Sequence, residues 1–217
     1  MNRLPKPVLT AAAILGLFSV FGTGLVALVH DKTEARILEN QRQTLLNSLR
    51  ALIPVDRYDN DLLADAIEVN DPDLGTRKPV SVYRARKAGQ SVAAVLSPSA
   101  PDGYNGEIRL LVAIWADGRL AGVRVLAHKE TPGLGDPIDE NKSDWIFGFN
   151  GLSLDNPPEG FWKVTRDGGV FDQFTGATIT PRAVVKAVRK TLGYFALNRA
   201  ALFSEPAQSG VDSPIEE

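Results

Sequence analysis

The chain has 217 residues, a formal net charge of −2 and no cysteine. Because the charge is close to neutral, no basic field attracts nucleic acid, and we expect no nucleic-acid partner. The lack of cysteine excludes disulfides, thiolate nucleophiles and cysteine-ligated iron–sulfur or zinc sites. Only His30 and His128 could supply imidazole, so we expect no metal or haem site built from histidines. If the protein does redox chemistry, its cofactor is therefore organic.

The N-terminal segment over residues 7–29 consists of 23 residues without a charge. As a helix it is about 35 Å long, enough to cross a hydrocarbon core of about 30 Å. Arg3 and Lys6 precede it and charges of mixed sign follow, which predicts a cytoplasmic N-terminus over residues 1–6 and an extracytoplasmic remainder. A cleaved signal peptide is the alternative. The run is longer than a typical signal h-region and no A-x-A site follows, so we expect a retained transmembrane helix.

The pattern beyond the membrane segment predicts one more helix and then two hairpins. Leucines recur along one helical stripe before Pro54, which predicts a juxtamembrane helix over residues 30–54. A first hairpin is predicted from "VSVYRAR", the turn "KAGQ" and "SVAAVL". A second turns at Asp117-Gly118, the strongest hairpin signal in the chain. The stretch "PSAPDGYNG" between the two hairpins is predicted to be a loop.

The C-terminal part is predicted to hold a long loop, a strand-like segment and a helix. Residues 131–160 are rich in Gly, Pro and Asp, which favours a long ordered loop with a short helix. "FWKVTRDGGVFDQF" has the composition of strands, and "PRAVVKAVRKTLGYFAL" has the spacing of an amphipathic helix. Residues 201–217 have no basic residue and little to bury, so we expect a disordered tail there and a folded domain over 55–200.

The first motif with possible chemistry is "HKETPGLGD", which begins at His128 and follows a predicted strand. Gly133 and Gly135 allow a ligand to approach the main chain closely, and Glu130 and Thr131 place polar groups beside them. An irregular turn that leaves a strand explains the same residues, since short glycine motifs match by chance. The motif alone therefore leaves both interpretations open. For His128 by itself, a hydrogen-bonded structural role is favoured.

The second motif is "DQFTGATITPRAV", in which three threonines surround a Gly-Ala pair. Thr180 followed by Pro181 is predicted to be an N-cap with proline at the first helical position. Thr178 then lies at a helix N-terminus, where free N–H groups and the dipole favour an anion. Arg182 places a positive charge in the first turn of that helix, which is unfavourable for the dipole unless an anion lies nearby. The spacing therefore indicates a phosphate near Thr178.

Together, "ETPGLG" and "TGAT" with an aspartate upstream resemble the FMN-binding domain family. That family includes the G subunit of the Rnf (Rsx) electron-transport complex and the C subunit of the sodium-pumping NADH:quinone reductase. The membrane segment, "GYNGEI" and "DQFTGATITPRAVVKAV" resemble the Rnf type most closely, over nearly the whole chain to about Leu197. The resemblance implies an α+β fold with a twisted, largely antiparallel sheet and packed helices, preceded by one N-terminal transmembrane helix.

The resemblance also implies the site. FMN is expected as a phosphoester on Thr178, the last threonine of the S/T-G-A-T motif. A separate flavin transferase, with FAD as donor, is implied to attach it, and Asp172 belongs to the recognised sequence. The other implied cofactor-binding residues are Thr175, Gly176, Ala177, Glu130, Thr131, Leu134 and Gly135. Weaker candidates for packing on the isoalloxazine ring are Trp145, Phe149 and Trp162.

The implied function is that of a membrane-anchored flavoprotein that relays electrons through covalent FMN. Its expected partners are other membrane proteins of an Rnf-type ion-translocating complex, which exchanges electrons between NADH and ferredoxin. The expected location is the bacterial inner membrane, with the domain on the periplasmic side and no substrate turnover by this chain alone. Two alternatives remain: a component like the C subunit of a sodium-translocating NADH:quinone reductase, and a membrane-tethered binding module without flavin.

Overall fold

The structure is a computed structural model, and it describes residues 5–207. It divides into two units, of which the first ends at Leu45 and the second begins at Leu46. Helix α1 spans Lys6–Leu52. Within residues 5–207 it is the one helix that is long and apolar enough to cross a membrane. The side chains of its uncharged stretch, residues 7–29, are exposed, as Leu17 and Phe18 illustrate, which is the pattern that a lipid-facing segment requires.

The second unit is built on a six-stranded antiparallel sheet. The strands are β1 (Ala66–Val69), β2 (Val80–Lys87), β3 (Gln90–Leu96), β4 (Ser99–Gly103), β5 (Gly106–Trp115) and β6 (Leu120–Ala127). The first three strands pair in chain order, and β3 then pairs with the C-terminal half of β5. The N-terminal half of β5 pairs with β4, and β6 lies along the β5 edge opposite β3.

Both predicted hairpins are confirmed. Strands β2 and β3 are joined by Ala88-Gly89, and both residues have positive φ (50° and 76°). Two left-handed residues in a two-residue turn match the twist of the strands that the turn connects. Asp117-Gly118 lies in the turn between β5 and β6, with Gly118 at φ 94°.

The predicted C-terminal amphipathic helix is also confirmed. Helix α2 spans Ile179–Ser204 and contacts β4 and β5. Its five predicted apolar residues are at most 1% exposed: Val184, Val185, Val188, Leu192 and Phe195. They share one core with the alternating side chains of β5, which are Ile108, Leu110, Val112 and Ile114. The domain is therefore of the α+β class, as the sequence predicted.

The opposite face of β5 is buried too. Leu111 and Ala113 are fully buried there, as are Leu49 in the last turn of α1 and Ile53 directly after the helix. Gly122 pairs with Ala113, and a β-carbon at Gly122 would lie 3.0 Å from the Leu52 side chain. The last turn of α1 therefore packs against the sheet and ends just before the proline that the sequence marked as a helix stop.

Two predictions for the connecting segments are wrong. The strand-like stretch 161–174 contains 3₁₀ turns and only isolated bridges, which pair Val164 with Phe171 and Phe174 with Ala177. Gly169 explains this, because a β-carbon there would lie 1.8 Å from the Lys163 carbonyl oxygen, and the chain doubles back on itself. The stretch predicted as a loop after β3 contains β4. Because β4 pairs with one strand only, its proline and glycine are tolerated.

The predicted disordered tail, 201–217, is wrong at its beginning because α2 continues to Ser204. Arg84 is 1% exposed, pairs with Asp65 and caps the end of α2. Its guanidinium donates to the carbonyls of Leu202 (3.1 Å) and Glu205 (2.5 Å). A buried arginine on a helix C-terminus satisfies carbonyls that have no helical partner and complements the dipole. Residues 208–217 lie outside the described part of the chain.

Candidate functional site

Helix α2 begins earlier than the sequence predicted. Its first residue is Ile179, and Thr178 is the N-cap with φ −73° and ψ −25°. Thr180 is fully buried, and its hydroxyl donates to the Glu130 carboxylate. The prediction that Thr180 is the N-cap is therefore wrong. Its side chain contacts a different segment of the chain, while Thr178 occupies the end of the helix without a side-chain cap hydrogen bond.

Three segments meet at the buried carboxylate of Glu130, which is 5% exposed. Oε1 accepts the backbone N–H of Asn105 (3.1 Å) and Oε2 accepts the hydroxyl of Thr180. Two glycines leave space for this carboxylate. A β-carbon at Gly135 would lie 2.7 Å from Glu130 Oε2, and a β-carbon at Gly103 would lie 3.0 Å from Glu130 Oε1. The carboxylate thus joins the β4–β5 turn, the "ETPGLG" loop and the first turn of α2.

The "ETPGLG" loop is an ordered turn. The Thr131 carbonyl accepts the N–H groups of Leu134 (3.1 Å) and Gly135 (3.0 Å). The Thr131 hydroxyl accepts from the amide of Asn105 (3.0 Å). Gly133 has φ 75°, a backbone conformation that residues other than glycine rarely adopt. The turn leaves Leu134 45% exposed, so an apolar side chain is accessible at the surface of the loop.

The "TGAT" stretch forms a second tight turn. The N–H of Ala177 donates to the carbonyl of Phe174 (3.1 Å), and Gly176 has φ 81° at the third position, the type II pattern. Thr175 and Gly176 are exposed, whereas Ala177 and Thr178 are half-buried. The turn therefore presents Thr175 and Gly176 to solvent, whereas Thr178 lies partly covered at the start of α2.

The structure brings the two sequence motifs into contact. A β-carbon at Gly176 would lie 3.7 Å from the Leu134 side chain, and Thr180 is bonded to Glu130. These residues are separated by more than 40 positions along the chain. The candidate residues of both motifs thus surround the N-terminus of α2.

The aromatic candidates differ in how much of each is accessible. Phe149 is fully buried and Trp162 is 3% exposed, and both belong to the hydrophobic core. The two rings are thus core residues. Trp145 is half-buried and makes edge contacts with Phe149 and Phe174. Its indole N–H donates to the carbonyl of Asp172 (2.8 Å), which fixes the start of the motif while the Asp172 side chain stays exposed.

Charges around the helix start are already paired. Arg182 binds Asp167 with two hydrogen bonds, of 2.5 and 2.6 Å. The hydrogen bond from Arg182 holds the pKa of Asp167 below its usual value. Asp167 therefore supplies a negative charge beside Arg182, where the sequence predicted an anion. His128 accepts the N–H of Glu130 at Nδ1 (3.1 Å), which is the structural role that the sequence favoured.

A cleft of about 330 Å³ between β4 and α2 contains none of the candidate site residues. Its two lysines are each paired with an acid, Lys186 with Asp102 and Lys190 with Asp73. Within residues 5–207, no group of three or more acidic or histidine side chains could hold a metal ion. The candidate residues of both motifs lie instead at the N-terminus of α2.

Comparison with known proteins identifies the family. The FMN-binding domain model matches residues 103–193, and the RnfG N-terminal region model matches residues 1–52. The G subunit of the ion-translocating oxidoreductase complex of Pseudomonas aeruginosa is 52% identical over 206 residues, which cover 94% of this chain and 96% of that protein. The chain belongs to the family of G subunits of the ion-translocating oxidoreductase complex. Two further G subunits are similar to this chain. That of Shewanella loihica is 47% identical over 96% of this chain and 99% of that protein, and that of Vibrio cholerae is 49% identical over 89% of this chain and 92% of that protein.

Membership of this family identifies FMN as the group that the domain binds. Every candidate site residue lies within the matched range, 103–193. The RnfG N-terminal match covers the apolar part of α1, so the chain is a membrane protein. The sequence motifs did not reveal the roles of Asn105 and Thr180, because both depend on contacts with Glu130 across 25 and 50 residues.

Proposed function

We propose that this chain carries FMN covalently on Thr178 and relays electrons within an Rnf-type ion-translocating complex. The observation that supports this best is the difference between the three motif threonines. The Thr180 hydroxyl is buried and bonded to Glu130, and Thr175 lies exposed on the turn. Thr178 is half-buried at the start of α2 and makes no cap hydrogen bond, so its hydroxyl remains available.

The site fits a phosphoester at Thr178. The first N–H groups of α2 have no helical partner, and the helix dipole favours a phosphate there. Gly176 and Ala177 leave space beside the hydroxyl. Exposed Leu134 and the polar turn of Thr131 and Gly135 lie next to the same helix start. Glu130 contributes by holding these segments together, since both of its oxygens already accept hydrogen bonds.

Attachment requires a separate flavin transferase with FAD as donor. The Thr178 hydroxyl oxygen attacks the phosphorus of the FMN half of the pyrophosphate. One oxygen–phosphorus bond forms, the bond to AMP breaks, AMP leaves and the hydroxyl proton is released. The side chains of Asp172 and Thr175 are exposed, which leaves the motif open to an enzyme that recognises it.

The names of the relatives favour the Rnf-type complex over the sodium-translocating quinone reductase, since they are G subunits that match over nearly their full length. FMN, when bound, supplies an electron acceptor and donor. We propose that the chain exchanges electrons with the other membrane proteins of a complex that links NADH and ferredoxin. We expect no substrate turnover by this chain alone.

The proposed location is the bacterial inner membrane, with the transmembrane helix over 7–29 and the FMN-binding domain in the periplasm. The positive flank, Arg3 and Lys6, supports this orientation. A phosphatase reporter fused after residue 207 should be active, whereas a cytoplasmic reporter at the same place should be inactive. The reverse result would contradict the orientation and leave the flavin site unaffected.

A denaturing gel tests the covalent linkage. The full chain is co-expressed with a flavin transferase, unfolded in detergent and illuminated for flavin fluorescence. A fluorescent band is expected for the parent and for Thr191→Val, which removes another buried hydroxyl of α2. Thr178→Ala should abolish the band while the thermal unfolding curve stays cooperative. A band that persists in Thr178→Ala, or no band in the parent, would overturn the proposal.

A further inference from the structure

The turn between β4 and β5 exposes an aromatic side chain close to the flavin motifs. Gly103 pairs with Gly106, so Tyr104 and Asn105 form a two-residue turn. A β-carbon at Gly103 would lie 2.2 Å from the Gly106 carbonyl oxygen, and Gly106 has φ 117°, so both glycines are needed. Tyr104 is 66% exposed at the tip of this tight turn.

The turn is fixed to the candidate site by its second residue. The N–H of Asn105 donates to Glu130 Oε1 (3.1 Å), and its side-chain amide donates to the Thr131 hydroxyl (3.0 Å). Through Glu130 the same network reaches Thr180 in the first turn of α2. Tyr104 is therefore held beside the site through its neighbour, while its own ring remains in solvent.

Tyr104 belongs to a group of exposed apolar side chains at this site. Of the seven large apolar residues that the structure leaves exposed within 46–207, three lie on the segments that meet at Glu130. They are Tyr104 at 66%, Leu134 at 45% and Ile179 at 46% exposed. One exposed apolar residue needs no explanation, but a group around one position indicates a surface that a ligand covers.

We propose that Tyr104 stacks on the isoalloxazine ring of the FMN carried by Thr178, an inference that rests on the proposed function. The ribityl chain of FMN separates its phosphate from its ring, so a ring carried on Thr178 would extend away from that residue and could reach the neighbouring segments. Aromatic rings pack favourably face to face with an offset, and tyrosine keeps its hydroxyl in water while its ring is covered. Leu134 and Ile179 supply aliphatic contacts to the same ring.

Quenching of flavin fluorescence tests this contact, because stacking on an electron-rich ring quenches flavin emission. The full chain is loaded by co-expression with the flavin transferase and kept in detergent. Emission is measured in the native state and again after unfolding in guanidinium, and the ratio cancels differences in flavin content. Tyr104→Leu should raise the ratio of native to unfolded emission severalfold, because leucine has no electron-rich ring to quench the flavin. Tyr104→Trp should stay quenched.

Phe161→Leu is the matched control, since Phe161 is an aromatic residue that is 49% exposed on a 3₁₀ turn outside the three segments. The emission ratio of Phe161→Leu should equal that of the parent. In a second measurement, quenching by added iodide should be stronger in Tyr104→Leu than in the parent and unchanged in Phe161→Leu, because only the loss of Tyr104 uncovers the flavin. Loaded Tyr104→Leu with an unchanged ratio would overturn the stacking and leave the covalent attachment intact. Loss of attachment in Tyr104→Leu alone would also contradict it, by assigning Tyr104 to the transferase step. Absence of covalent flavin in the parent would overturn the proposed function and the stacking together.

Discussion

Thr180→Val tests the contact that joins the two motifs. Valine has nearly the shape of threonine, so the substitution removes the hydroxyl and leaves the helix in place. Glu130 then loses one of its two hydrogen-bond donors and keeps only the N–H of Asn105. Because Glu130 is 5% exposed, water cannot readily replace the missing donor.

The size of the effect follows from that burial. A buried acceptor left without its donor costs about 1–3 kcal/mol, and more when the acceptor is charged. We therefore expect Thr180→Val to lower the free energy of unfolding by about 2–3 kcal/mol. For a domain of this size the melting temperature should fall by about 4–12 °C.

Thr191→Val is the control, because Thr191 is fully buried on the same helix and donates only to the Ala187 carbonyl within α2 (2.8 Å). That carbonyl keeps its helical partner, so a loss below about 1 kcal/mol is expected. Urea unfolding of the full chain in detergent, followed by circular dichroism, measures both variants. Equal losses for the two, or no loss for Thr180→Val, would refute the role assigned to the Glu130 contact.

Three further predictions concern other parts of the domain. Arg84→Met removes the buried cap of α2 and should lower the free energy of unfolding by about 3 kcal/mol in urea titrations. Gly135→Ala places a β-carbon 2.7 Å from the Glu130 carboxylate and should cost about 1–3 kcal/mol in the same assay. The pKa of the Asp167 carboxyl should lie below its usual value by NMR and return towards it in Arg182→Gln, because the Arg182 hydrogen bond lowers it. The stability from this pair is present above the ordinary carboxyl pKa and is lost as pH falls through the lowered one.

Each of these has a matched comparison. Arg189 pairs with Glu159 on the surface, so Arg189→Met should cost less than about 1 kcal/mol. A loss as large as that of Arg84→Met would contradict a buried cap. Gly148 has open space around its α-carbon, so Gly148→Ala should be close to neutral. For Asp167, a pKa that is the same with and without Arg182 would rule out their hydrogen bond in solution.

Local patterns were sufficient for the elements that depend on local interactions. The Asp117-Gly118 turn, the alternation of β5 and the apolar stripe of α2 were all predicted, because each follows from backbone geometry and a single buried face. The same patterns missed β4, whose proline and glycine look like a loop. That strand exists because β5 supplies its hydrogen bonds, and no local signal reports such a partner.

The sequence was sufficient to predict which residues form the candidate site, but not the hydrogen bonds that join them. The resemblance identified both motifs, and the fold brings them together at the start of α2. The N-cap was misplaced because Thr180 satisfies Glu130 across 50 residues, and no local pattern indicates that pairing. The role of Arg84 could not be predicted for the same reason. It is a charged residue in a strand, and it is buried because it donates to carbonyls at the C-terminal end of α2, more than 100 residues away.

The most direct test of the central claim is mass spectrometry of one tryptic peptide. Cleavage after Arg166 and Arg182 releases residues 167–182, which contain Thr175, Thr178 and Thr180 together. In protein loaded by the flavin transferase, this peptide should gain the mass of FMN less one water, and fragmentation should assign that mass to Thr178. An unmodified peptide, or FMN on Thr175 or Thr180, would contradict the claim.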